Sequence, residues 1–189
     1  MIDAVLSSGR AAEVFGRKPA YTVIGPWTLA AAALFSSRVR EIRELLPRVG
    51  TVSLVQCNFS QYSSRYDAFC AGETPPVFDP ACAGGALMDL GVYNVSYIVG
   101  LFGEPNQAKY TANMERGIDT SGILTMDYSG FKAVSIAAKD CAAPARYIIQ
   151  GTKGYILQKS TANCCGGITF HPNEGKEEHY NLNGGRPRQ

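Results

Sequence analysis

The sequence predicts an α+β domain, a mostly antiparallel sheet covered on one face by helices. Three observations predict it. The best helical patterns lie before Gly103, and a run of short strand patterns follows it. Turn residues separate those strands, at Ser129-Gly130, Gly151 to Gly154 and Asn173 to Gly175. Finally, 189 residues with 46% hydrophobic and 18% charged side chains are enough for one real core.

Residues 1 to 16 carry a weak helical signal in Ile2, Val5, Ala11, Ala12, Val14 and Phe15, broken by Ser7-Ser8-Gly9. Arg17-Lys18-Pro19 closes it, because proline disfavours helix in the residue before it. Tyr21 to Ile24 is a short strand pattern, and Trp27 to Leu34 is alanine-rich and helical by propensity. Ser36 or Ser37 caps a better helix, with Val39, Ile42, Leu45 and Leu46 on one stripe and Pro47 as its stop. Thr51 to Phe59 is a strand, rich in β-branched and aromatic residues. Gln61 to Pro80 has no period and reads as a long functional loop or lid.

Gly84 to Phe102 is the clearest helix, closed by Gly103 and Pro105. Strand patterns follow at Lys109 to Met114, Ile123 to Tyr128, Phe131 to Ala138, Arg146 to Gln150, Tyr155 to Lys159, Ile168 to His171 and Glu178 to Leu182. Along them Ile123, Thr125 and Asp127 oppose Leu124, Met126 and Tyr128, and Ala133, Ser135 and Ala137 oppose Val134, Ile136 and Ala138. One face belongs under the helices; the other is small and apolar enough to meet a partner.

Charge and cysteine usage narrow the function. A net charge of +2 makes no electrostatic case for nucleic acid or a membrane surface. Arg38, Arg40 and Arg43 alternate with Glu41 and Glu44 as on a solvated helix face. No apolar run reaches the roughly 18 residues of a membrane span, and Met1 to Leu6 has no basic n-region of a signal peptide. The six cysteines are irregularly spaced, with no Cys-x-x-Cys, and Cys164-Cys165 are too close-set for an ordinary disulfide. Only His171 and His179 stand ready to help bind a metal, so zinc is not expected and the histidines read as structural or exposed. Reduced thiols in a cytoplasmic protein are the expectation.

On the helix from Gly84, Met88, Val92, Val95 and Val99 form the stripe expected to face the sheet. Asp89, Tyr93 and Ser96 form another, with Asp89 and Tyr93 four apart and neighbours in space. A carboxylate beside a phenol is a usable proton relay. The same stripe also reads as a polar face that merely meets water, and on spacing alone that is the commoner case.

Ala83-Gly84-Gly85-Ala86-Leu87-Met88-Asp89-Leu90-Gly91-Val92-Tyr93 resembles the signature of the glucose–fructose oxidoreductase / inositol dehydrogenase (Gfo/Idh/MocA) family, in which such a segment opens the helix lining the active site. Arg40 to Gly50, Tyr62 to Asp67 and Leu101 to Pro105 resemble flanking segments in the same order, so the likeness runs from about residue 36 to 182. Tyrosine at the position of Tyr93 resembles the dihydrodiol / xylose dehydrogenase branch.

The resemblance implies a two-domain enzyme whose Rossmann domain holds NAD or NADP, acting on a hydroxyl of a sugar, polyol or dihydrodiol. It implies Asp89 and Tyr93 as catalytic residues, and it makes Lys18, in Arg17-Lys18-Pro19, a weak counterpart of the catalytic lysine in Glu-Lys-Pro. Arginine replaces the glutamate there, and a lysine beside a proline is more often simply exposed. Arg65 and Tyr66 suit a hydroxyl-rich small molecule, though polar loops need no ligand. No Gly-x-Gly-x-x-Gly follows a strand, so the dinucleotide cradle is missing from this sequence. The expected organisation is a degenerate or truncated remnant of the nucleotide-binding domain over 1–35, the α+β substrate and oligomerisation domain over 36–183, and a tail over 184–189. Family members commonly pair through the open sheet face, which implies a homo-oligomer. The second reading is a non-catalytic binding or assembly module that has lost its cofactor domain.

Overall fold

The computed structural model describes residues 39–161 and 167–180. The expectations for residues 1–35, including Lys18, and for Ser36, Ser37, Cys164, Cys165 and the tail lie outside those residues.

The chain first forms helix α1 (residues 39–45), which tightens into a 3-10 turn at Leu46–Val49 where Pro47 removes a backbone donor. Val39, Ile42 and Leu45 of the predicted stripe are buried, Leu46 is half-buried, and Val49 beyond Pro47 is buried in addition. Strand β1 (Val52–Ser60) follows, then a short helix α2 (Tyr66–Cys70) and 3-10 turns at Pro76–Phe78 and Pro80–Cys82. The segment read as an aperiodic loop is thus built of short turns. Phe69 and Phe78 stack at 4.6 Å and, with Ile118, make a second apolar cluster too small to leave a period.

The long helix begins as a π-helical turn, Leu87–Gly91, and continues as α3 (Val92–Phe102), closed by Gly103. By length and composition Pro80–Phe102 is apolar enough to cross a bilayer, but 56% of its apolar window is buried against the rest of the fold, the place of a core helix. Seven strands follow: β2 (Gln107–Glu115), β3 (Ile118–Asp127), β4 (Lys132–Ala138), β5 (Arg146–Gly151), β6 (Gly154–Gln158), β7 (Ile168–Pro172) and β8 (Glu178–Tyr180).

These form one eight-stranded sheet in the order β2-β3-β4-β1-β5-β6-β7-β8, antiparallel except for the parallel pair β1–β4. Side-chain alternation falls as the sequence predicts: Leu124, Met126, Ala133, Ser135 and Ala137 are buried on the helix side, while Ile123 and Thr125 are exposed on the other. The helix stripe needs a correction. Its buried residues are Leu87, Gly91, Asn94, Val95, Tyr97, Ile98 and Leu101, whereas Met88, Val92 and Val99 are only half-buried. A polar residue sits at the centre of the contact because all of its hydrogen bonds are made inside. Asn94 donates to Ser135 Oγ and the Ile136 carbonyl, and accepts from the Tyr147 hydroxyl.

Candidate active site

The helix lies along β4 as on a ladder: Asn94 meets Ser135, Gly91 lies over Ala137, and Asp89 reaches Lys139. A Cβ at Gly91 would stand 3.5 Å from that of Ala137, ordinary contact, so the helix passes directly over β4 at this point. β1 and β4 run parallel and finish side by side, Ser60 opposite Ala138. The chain leaving β1 stays bonded to the end of β4, with Gln61 N–H donating to the Ala138 carbonyl (2.9 Å) and Ser63 N–H to that of Lys139 (2.8 Å). The loop bearing Arg65 and the helix start bearing Asp89 therefore meet β4 at the same end.

The double glycine is demanded by this crowding. Gly85 has φ +106°, and a Cβ there would collide with the Asp119 carboxylate. That carboxylate accepts from Leu87 N–H (2.7 Å) and from the Tyr110 hydroxyl (2.8 Å), so it caps the helix. Burial, and then Asp119, push the Tyr110 phenol up. Gly84 touches the backbone of Val77 and Asp79 and seats the Pro76–Phe78 turn on the helix start.

Asp89 lies inside the π-helical turn, a local widening that is frequent at functional sites. One of its oxygens, Oδ2, accepts from Lys139 Nζ at 2.5 Å; the other meets no described residue, and the side chain is 41% exposed. It is therefore not on the outer face of the helix. Tyr93 is 37% exposed, its ring tilted against Phe59 at 5.9 Å. No hydrogen bond links Asp89 to Tyr93. Lys139 takes the near carboxylate oxygen, and the phenol is left open to a ligand or to water.

Arg65 is exposed, and its guanidinium makes no ion pair among the described residues. Tyr66 is committed. Its hydroxyl donates to Glu115 (2.8 Å) and its ring stacks on Phe69. The Glu115 hydrogen bond, helped by burial, pushes its phenol well up. His171 and His179 both face Glu177 at the far edge, at 3.1 and 3.2 Å, and no described group of His, Cys, Asp and Glu is arranged to hold a metal.

Sequence reasoning missed Lys139, Asn94 and Asp119. A signal for the first was available. The inward period Ala133, Ser135, Ala137 continues to Lys139 at the strand end, which puts a lysine on the helix side.

Residues 39–157 match the family described as GFO/IDH/MocA C-terminal domain. The chain belongs to this family. It is 36% identical over 129 residues to the scyllo-inositol 2-dehydrogenase (NADP(+)) IolU of Bacillus subtilis, covering 68% of this chain and 39% of that protein. It is 25% identical over 159 residues to a trans-1,2-dihydrobenzene-1,2-diol dehydrogenase of Danio rerio, covering 82% and 42%. An inositol dehydrogenase homologue from Azotobacter vinelandii, solved with NAD+, shares the fold over 82% of this chain and 44% of its own, with a TM-score of 0.68 at 11% identity. The chain thus spans about two fifths of the length of the curated relatives it matches.

Among the described residues, the helix that follows the glycine pair has the Asp119 carboxylate on its Leu87 N–H, a negative charge that would repel a pyrophosphate at that end.

Proposed function

We propose that this chain is the substrate-facing domain of a nicotinamide-dependent oxidoreductase acting on a hydroxyl of a sugar, polyol or dihydrodiol. The observation that carries this is the pair at the helix start: Asp89 with one oxygen held and one open, and Tyr93 with an open phenol one turn on. Tyr93 would pass a proton to or from the substrate oxygen, and the open Asp89 oxygen would accept a hydrogen bond from a neighbouring substrate hydroxyl. Arg65, exposed on the adjoining loop, is the candidate for a further hydroxyl contact, and Tyr66 braces that loop through Glu115. NAD or NADP would be held by a nucleotide-binding part outside the described residues. The named activities of IolU and of the dihydrodiol dehydrogenase support the substrate class. The free thiols of Cys57, Cys70, Cys82 and Cys141 suit a cytoplasmic protein.

The test joins this chain in frame to the nucleotide-binding part of IolU and follows reduction of NADP with inositols and diols. Activity is expected, and Tyr93→Phe is expected to lower kcat by about 100-fold. Calorimetry on the chain alone is expected to find no micromolar binding of NADH or NADPH. Cofactor binding without turnover in the fusion would favour the second reading, a non-catalytic assembly module.

Assembly belongs to the same reading. One row across the open face runs Thr125, Val134, Gln56, Ile148, Leu157, Thr169, uncharged throughout and apolar at Val134, Ile148 and Leu157. We expect a homo-oligomer paired through this face with twofold symmetry. Light scattering at low concentration checks it, and a clean monomer would count against it.

A further inference from the structure

We propose that Lys139 is a positioning residue of this site: its ammonium holds the Asp89 carboxylate by one oxygen and turns the other toward substrate. The inference rests on the role given above to Asp89.

Lysine is almost never fully buried without a partner, and Lys139 is 2% exposed. Its ammonium has three donors. One goes to Asp89 Oδ2 at 2.5 Å and one to the Val77 carbonyl at 2.8 Å, while the Phe78 ring stands 4.7 Å away on a further side. Protein thus surrounds the ammonium, and with the residue 2% exposed it acts through Asp89.

The same three contacts join three segments: the end of β4, the Pro76–Phe78 turn and the π-helical turn. The long connection before the helix is thereby fastened to the carboxylate it borders. A methionine would fill this space without the cost of burying a charge, and such replacements of buried ion pairs are often neutral or stabilising. Packing therefore does not account for a charge at this position. Its effect on Asp89 does: an ammonium on one side keeps the carboxylate from swinging onto the Tyr93 phenol and leaves Oδ1 facing outward.

The test uses the fusion described above with Lys139→Met, Lys139→Arg, Asp89→Asn and the Lys139→Met/Asp89→Asn double variant. Lys139→Met is expected to lower kcat by about 10- to 100-fold with KM changed by less than about threefold, the mark of lost positioning rather than lost binding. It is expected to add nothing in the Asp89→Asn background, and Lys139→Arg is expected to recover part of the loss. A folded Lys139→Met enzyme with parental kcat overturns the proposal, as does full additivity with Asp89→Asn. Should Lys139→Met not fold, a parental kcat in Lys139→Gln, which keeps a polar donor but loses the ammonium, overturns it equally. On the chain alone, proton–nitrogen NMR is expected to find a slowly exchanging Lys139 ammonium coupled to the Asp89 carboxyl carbon and lost in Asp89→Asn. Failure to see that coupling overturns the proposal by itself. An inactive parent fusion with the coupling present sinks the oxidoreductase reading while leaving the hold on Asp89 intact.

Discussion

Two ion pairs in this domain have similar chemistry and opposite settings. Lys139–Asp89 lies beneath the helix start, with the lysine side chain 3% exposed. Arg48–Glu178 lies at the β8 edge, where the guanidinium makes two bonds to the carboxylate, one more to the Tyr180 hydroxyl, and packs over Phe170 at 4.4 Å. Its side chains are 41% and 37% exposed. The edge pair is geometrically the better one, bidentate and braced, yet water screens it and its worth is small. The inner pair has a single short contact, but its lysine has no water to fall back on. Geometry alone therefore misranks them. Burial decides which pair the structure depends on and which only trims an edge.

The largest effects should come from breaking buried polar contacts. Asn94→Ala removes the amide that the Tyr147 hydroxyl, Ser135 Oγ and the Ile136 carbonyl share under the helix, and we expect a loss of about 3 kcal/mol in denaturant unfolding. A loss near zero would mean that the helix–sheet contact is apolar in effect and that the comparison fails on its buried side. Next comes Gly85→Ala, which forces a side chain into a left-handed backbone and against Asp119. It is expected to cost about 2 kcal/mol and to loosen the helix start first, read as faster amide exchange at Leu87.

The smallest effect belongs to the exposed pair. The hydrogen bond from Arg48, and then that from Tyr180, holds the Glu178 carboxyl down at about 2, below its ordinary 4.5. A depressed carboxyl stabilises the fold above its unfolded value and loses that contribution as pH falls toward its folded value. The β8 edge should therefore loosen between about pH 4.5 and 2, seen as earlier amide exchange in β8, and Glu178→Gln should flatten that dependence. At neutral pH the substitution is expected to cost under about 1 kcal/mol. A larger loss would bring the edge pair level with the buried contacts and erase the contrast drawn here.

Much of this domain is legible in its sequence. Strand alternation sorted Leu124 and Met126 from Ile123 and Thr125, because a period of two is local and needs only neighbouring residues. The double glycine, Asp89 and Tyr93 were legible for the same reason, as close spacing within one helix. The inward side of that helix was misjudged by pattern, since Asn94 looks like a solvent residue until Ser135, Ile136 and Tyr147 supply its partners.

The sequence by itself determined where the long helix and the strands after it run, which faces of β3 and β4 turn inward, and that Asp89 and Tyr93 stand one turn apart on that helix. Only the tertiary structure decided that β1, first in the chain, enters the middle of the sheet parallel to β4 and antiparallel to β5. It alone decided that Lys139 takes the Asp89 oxygen a relay would have offered to Tyr93, and that Asp119 fills the helix N-terminus. The reason is physical. Periodicity records each residue's preference for water or core, but a buried charge or amide is tolerated only where a distant segment satisfies it, and which segment arrives there is settled by sheet order and close packing.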